Sequence, residues 1–144
     1  MSAHLLDVNV LIGLAWPQHV HHAQAHNWFE EEGAKQWATC PLTQLAFVRI
    51  SSNTKVIPEA VSPREAMAML VRIVALPGHA FWEDSLNPVE APLFQSLALM
   101  GHRQVTDAYL LSLAQRRGGK LATFDAGIAN LIPSGSRRYL TIIG

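Results

Sequence analysis

Asp7, Asp107 and Asp125 each stand against an apolar run. The segments are Leu5-Leu6-Asp7-Val8-Asn9-Val10-Leu11-Ile12, Val105-Thr106-Asp107-Ala108-Tyr109-Leu110-Leu111 and Leu121-Ala122-Thr123-Phe124-Asp125. They hold three of the chain's four aspartates. A carboxylate beside core residues is costly unless it is paired or holds a cation. Three gathered together repel one another, and a divalent metal is the usual relief. Mg²⁺ and Mn²⁺ prefer oxygen ligands and keep several waters, so one or two direct carboxylates often suffice. Such an ion lowers the pKa of a water and stabilises charge on phosphate oxygens during in-line attack. The pattern points to a metal-dependent enzyme acting on a phosphodiester. Asp7 and Asp125 are expected to touch the ion. Asp107 is expected to bind directly or through water and to help orient the nucleophile. A plainer reading stands beside this one: aspartate is a favoured N-cap, and all three lie at or near expected helix starts.

Other polar residues have two readings each. Thr123, two before Asp125, reads as a strand residue packing its methyl group or as a hydroxyl supporting the acids. Arg49 interrupts an apolar helix and reads as a phosphate clamp, or as an arginine snorkelling from a half-buried face. Arg137-Arg138 sit in a Ser-Gly loop and read as solvated. His22 and His26 have the spacing of a zinc-binding pair, yet no third protein ligand is evident. With His19 they are expected on a solvated or partner-facing helix surface. Asp84 is expected in a solvated loop, Cys40 as a buried small hydrophobe, and Trp28, Phe29 and Trp37 in the core or a dimer interface.

The bulk numbers bound these readings. A chain of 144 residues, 49% apolar and 15% charged, fits a single compact domain. Its formal net charge is zero with His neutral, which weakens any picture of a long basic groove gripping duplex nucleic acid. A short single-stranded or structured RNA held at a metal site remains compatible. One cysteine excludes an intramolecular disulfide and fits a reducing cytosol. The start, Met-Ser-Ala-His, gives no sign of a signal peptide. No apolar run approaches the roughly 20 residues needed to span a bilayer.

The elements that must position the acids follow from pattern. Leu5 and Leu6 begin a short buried strand, and Val8 to Ala15 a helix that stops near Pro17. His19 to Glu32 reads as a helix with Val20, Ala23 and Trp28 inward and Gly33 as its stop. Gln36 to Cys40 reads as a strand, and Leu42 to Ser51 as a helix opened by Pro41. Ser62-Pro63-Arg64-Glu65 is a strong helix start with a capping box. Ala66, Met67, Leu70, Val71 and Val74 then share a face, before Pro77-Gly78 ends the helix. Ala80 to Trp82 is a candidate strand. Glu90 to Met100 and Thr106 to Arg117 read as helices, the second closed by Gly118-Gly119. Lys120 to Phe124 is a strand, Ala126 to Leu131 a short helix and Tyr139 to Ile143 a last strand. Alternating strands and helices imply α/β with a mostly parallel sheet. Asp7 and Asp125 fall where strands hand over to helices, at the strand ends where such sheets build sites.

Over essentially its whole length the chain resembles the PIN-domain ribonucleases, specifically VapC-type toxins of bacterial toxin–antitoxin pairs. Leu6-Asp7-Val8-Asn9-Val10-Leu11-Ile12 is similar to the family's first acidic motif, Thr106-Asp107-Ala108-Tyr109-Leu110 through Leu113-Ala114 to the third, and Leu121 to Asp125 to the last. Pro41-Leu42-Thr43-Gln44-Leu45-Ala46-Phe47-Val48-Arg49-Ile50 resembles the middle segment of one VapC subgroup. The resemblance implies an α/β/α sandwich and a Mg²⁺- or Mn²⁺-dependent endoribonuclease. It also implies a VapB-type antitoxin partner, which would enter the acidic pocket, and a homodimer. It makes Asn9 a site residue, able to hydrogen-bond a carboxylate or a metal-bound water. Many family members carry a glutamate in the middle motif where this chain has Gln44. No acid lies between Glu32 and Glu59. Three acids can still hold one ion, while a second ion site is put in doubt.

Two other function classes compete. A PIN-like module that binds RNA or protein with weakened catalysis is motivated by Gln44 and the neutral charge. A phosphorylation-receiving or phosphatase domain would need a second acid beside Asp7 or two residues after it, where Val8 and Asn9 stand.

Overall fold

The computed structural model describes residues 2–91 and 101–144, with only the backbone of residue 103. Five short strands form one sheet: β1 (His4–Leu6), β2 (Trp37–Thr39), β3 (His79–Phe81), β4 (Lys120–Thr123) and β5 (Leu140–Ile142). Their order is β3-β2-β1-β4-β5, and every pairing is parallel. The described helices are α1 (Val8–Ala15), α2 (His22–Glu31), α3 (Pro41–Ser51), α4 (Pro63–Val74) and α5 (Val105–Arg116). This is the α/β/α sandwich with a parallel sheet that the sequence implied.

The sheet has two apolar faces, as a parallel sheet must. On one, Leu5, Ala38 and Leu121 pack with Leu110, Leu111 and Leu113 of α5. On the other, Leu6 and Ala122 pack with Val10, Leu11 and Ile12 of α1, Phe47 of α3 and Leu70 of α4. Adjacent strand residues thus feed opposite cores, which is the period-two geometry of a strand. Gly118 closes α5 with φ +70°, a conformation that favours glycine. At Gly119 a Cβ would lie 2.5 Å from the Ala3 carbonyl oxygen, so only glycine lets α5 turn this tightly into β4.

The strand order fixes where a site can form. From β1 the chain builds outward through β2 and β3, then returns to the other side of β1 for β4 and β5. The sheet therefore changes direction between β1 and β4, and the crevice at the C-terminal ends of those two strands is the preferred ligand position in open α/β sheets.

Several expectations need correction. Helix α2 begins at His22 rather than His19, and Val20 is 83% exposed in the loop before it. Ala25, not Ala23, is buried on its inner face, because Ala25 is the residue that meets Gly13 of α1. On α4 the capping box forms as expected, with Ser62 accepting from the Glu65 amide. Met67 and Val71, however, are 46% and 58% exposed; the inward residues are Ala66, Met69, Leu70, Ile73 and Val74. An apolar residue on a helix does not by itself declare its direction. The segment Ala126–Asn130 is a 3₁₀ turn rather than an α-helix. Most of the helix expected over Glu90 to Met100 lies outside the described residues.

Candidate active site

Asp7 follows β1 and Asp125 follows β4, so register places them side by side. Leu6 pairs with Ala122, and the Asp7 amide donates to the Ala122 carbonyl at 3.0 Å. Asp7 is only 4% exposed. Its Oδ1 accepts from the Val8 amide at 2.7 Å, capping α1. Its Oδ2 accepts from the Thr123 hydroxyl at 2.8 Å. Thr123 Oγ1 in turn accepts from the Asp125 amide at 3.1 Å. The fully buried Thr123, the last residue of β4, therefore links the two acids by one oxygen, so both of its readings, strand residue and supporting hydroxyl, hold together. Asp125 Oδ1 accepts from the Gly127 amide at 2.9 Å and caps the turn that follows. For Asp7 and Asp125 the capping reading is correct, and it coexists with their convergence.

Asp107 arrives from the opposite face of the sheet, in the first turn of α5. Gln104 is the N-cap there, so Asp107 is not a cap. Burial, the charges of Asp7 and Asp125, and a hydrogen bond with the Asp125 side chain push its carboxyl up to about 7. Burial also raises the Asp7 carboxyl, against the lowering effect of the Thr123 and Val8 hydrogen bonds; the Asp125 charge adds to the rise. Three segments distant in sequence thus form one electrostatic cluster. Among the described residues, no three His, Cys, Asp or Glu side chains are grouped closely enough to form a ready metal cage. The undescribed residues 92–100 contain none of these types.

The remaining candidates are placed differently. Asn9 is exposed on the first turn of α1, and its side chain makes no hydrogen bond to a carboxylate among the described residues. Gln44, in the first half of α3, donates from Nε2 to the Thr39 hydroxyl at 2.9 Å, at the end of β2. Thr39 Oγ1 also meets His79 Nε2 at 2.7 Å. Gln44 is thereby tied to the neighbouring strand end. Arg49 is exposed in the last turn of α3, five residues beyond Gln44.

Three features escaped the sequence. Asp84 is not merely solvated: its Oδ2 accepts from the Leu42 amide at 3.2 Å, serving the N-terminus of α3. His22 and His26 do not face outward. Their ring nitrogens hydrogen-bond the Gly13 and Leu14 carbonyls at 2.7 and 2.9 Å, satisfying the C-terminal end of α1. The His21 ring stacks on Phe124, with centroids 4.3 Å apart and planes at 14°, one residue before Asp125. No local signal distinguishes His21 from its neighbouring histidines, because its partner is about a hundred residues away.

The fold and the clustered acids define a class. The sequence pattern of the PIN domain matches residues 4–131, and the chain belongs to the PIN-domain family, in its VapC-type branch. It is 49% identical to Ribonuclease VapC38 of Mycobacterium tuberculosis over 129 residues, covering 88% of each chain. It is 46% identical to Ribonuclease VapC39 of the same species over 131 residues, covering 91% of this chain and 94% of that protein. Among solved structures, a toxin-antitoxin complex from Klebsiella pneumoniae superposes with a TM-score of 0.61 at 20% identity, covering 96% of both chains. That likeness bears on the fold.

Proposed function

We propose that this protein is a divalent-metal-dependent endoribonuclease, the toxin of a VapBC-type pair. The observation that carries this reading is the cluster of Asp7, Asp107 and Asp125 at the β1–β4 switch point, where burial and the charges of its neighbours push Asp107 up to about 7. The kinship with VapC ribonucleases supports RNA as the substrate, and the toxin-antitoxin neighbours support a VapB-type antitoxin as partner. A homodimer completes the proposed assembly.

The donor set fits Mg²⁺ or Mn²⁺. All three groups are carboxylates, the ligands that hard cations prefer. Burial first, and then the charges of Asp7 and Asp125, raise the Asp107 carboxyl, and this is the cost of holding the three acids together without a cation. Asp7 and Asp125 would hold the ion, with Asp107 beside them. A bound ion would supply positive charge to lower the pKa of an attacking water and stabilise the phosphate oxygens. The chain's own residues supply the rest. Thr123 fixes the Asp7 carboxylate and the Asp125 backbone at a set separation. Asp107, ionised once a cation offsets its neighbours, would help orient the nucleophile.

A second reading, a PIN-like module with weak catalysis, is favoured by one observation. Gln44 is neutral and spends its amide nitrogen on Thr39. Cleavage of a mixed RNA pool separates the two. Wild-type protein and Asp7→Asn would be compared with Mg²⁺, with Mn²⁺ and with chelator. Metal-dependent cleavage lost in the variant is expected. Folded wild-type protein that binds RNA and cuts none of it in either metal would establish the binding module.

A further inference from the structure

We propose that His21 is a substrate-positioning residue whose Nε2 accepts a hydrogen bond from a ribose 2′-hydroxyl of the strand lying across the aspartates. This inference rests on the ribonuclease reading and deepens it.

Phe124 stands between Thr123, which holds Asp7, and Asp125 itself. Its Cα is about 3.8 Å from that of Asp125 by chain geometry. The Phe124 ring packs against the core on the α1 side of the sheet. His21 lies stacked on it, nearly parallel. The strand end that presents the acids therefore also fixes the His21 ring, at the rim opposite Asp107. His21 directly precedes α2.

The ring's contacts bear on its chemistry as well as its place. Nδ1 lies 2.7 Å from the Gln24 side-chain oxygen, which only accepts, and this contact favours the tautomer with the proton on Nδ1. In the neutral ring Nε2 is then an acceptor. The His21 amide donates to His19 Nδ1 at 3.1 Å, and the His19 ring lies 5.7 Å from that of His21. Phe124 covers one face of the half-buried His21 ring, and Nε2 makes no hydrogen bond among the described residues. An acceptor cannot serve a phosphate oxygen, which also only accepts. The donor that RNA carries at every nucleotide, and DNA lacks, is the 2′-hydroxyl.

The test uses a short RNA that wild-type protein cleaves, and the same RNA with single 2′-deoxy substitutions at positions flanking the cut. The enzymes are wild type and His21→Phe, which keeps the stack on Phe124 and removes Nε2. One flanking 2′-deoxy substitution should raise the wild-type KM by about tenfold, with kcat within about twofold, the size of one neutral hydrogen bond. His21→Phe should show the same higher KM on the all-ribose RNA and no further penalty from that substitution. Its Mn²⁺ affinity and Tm should match wild type. A wild-type KM in His21→Phe would overturn the proposal, as would an undiminished 2′-deoxy penalty in that variant. Joint loss of kcat and Mn²⁺ affinity would make His21 a strut for Asp125 and also overturn it. Failure of wild-type protein to cleave any RNA would overturn the nuclease reading and this inference together, whereas normal cleavage insensitive to His21 overturns this inference alone.

Discussion

At the scale of single residues, Asp107 turns electrostatics into something that can be titrated. Its carboxyl sits near 7 in the folded metal-free protein and near 3.9 in the unfolded chain. Between those values the folded state holds a proton that the unfolded state has shed, so stability falls as pH rises. The contribution is fully present below about 4 and lost above about 7. Metal-free wild-type protein should therefore show a falling Tm from pH 4 to pH 7, and Asp107→Asn should flatten much of that slope. Parallel slopes for the two proteins would show that Asp107 is not under this strain. Thr123 yields a second prediction. Thr123→Val strands a buried Asp7 oxygen and the Asp125 amide, which should cost about 1–3 kcal/mol in urea unfolding. Thr123→Ser, keeping the hydroxyl, should recover most of it; no recovery would trace the loss to methyl packing.

Among elements, α1 is satisfied at both ends by side chains. Its N-terminus is capped by Asp7, and its C-terminal carbonyls are held by His22 and His26 from α2. The two histidines have metal-pair spacing but are already committed to backbone oxygens. We expect His22→Leu/His26→Leu to lower unfolding free energy by about 1–3 kcal/mol, since two helix-end carbonyls lose their partners. Zn²⁺ should not raise the Tm of wild-type protein through this pair. A denaturation midpoint unchanged by the double substitution would show that water replaces both rings at no cost. The loop between α1 and α2 gains its meaning only from Phe124 of a distant strand, through the stacked His21.

For the whole molecule, the crossover of the chain from β3 back to β4 is what brings the candidate site together. It sets the ends of β1 and β4 side by side and lets α5 bring Asp107 from the other face. A ligand that binds only the folded state raises its stability by mass action. Millimolar Mn²⁺ should accordingly raise the Tm of wild-type protein by several degrees, more at pH 8 than at pH 5, where Asp107 keeps its proton. The shift should vanish in Asp7→Asn. An equal shift in that variant would place the ion elsewhere. Among the described residues no helix is long and apolar enough to cross a membrane.

The amino-acid sequence determined the alternation of strands and helices, the Ser62 capping box, the Gly118-Gly119 stop and the three aspartates at element ends. These are local properties: period, caps and turns act over a few residues, and so did the motifs that carried the family resemblance. It misjudged the direction of Val20, Met67 and Val71, because an apolar side chain names no neighbour. It placed Asp84 rightly in an exposed loop but missed its bond to the Leu42 amide, and it turned His22 and His26 outward, because each of their partners lies nine or more residues away. Only the tertiary structure decided that Thr123 donates to Asp7 across 116 residues of sequence while accepting from the Asp125 amide, and that His21 rests on Phe124. Strand order and register make those contacts, and they are set by how both faces of the sheet are buried at once.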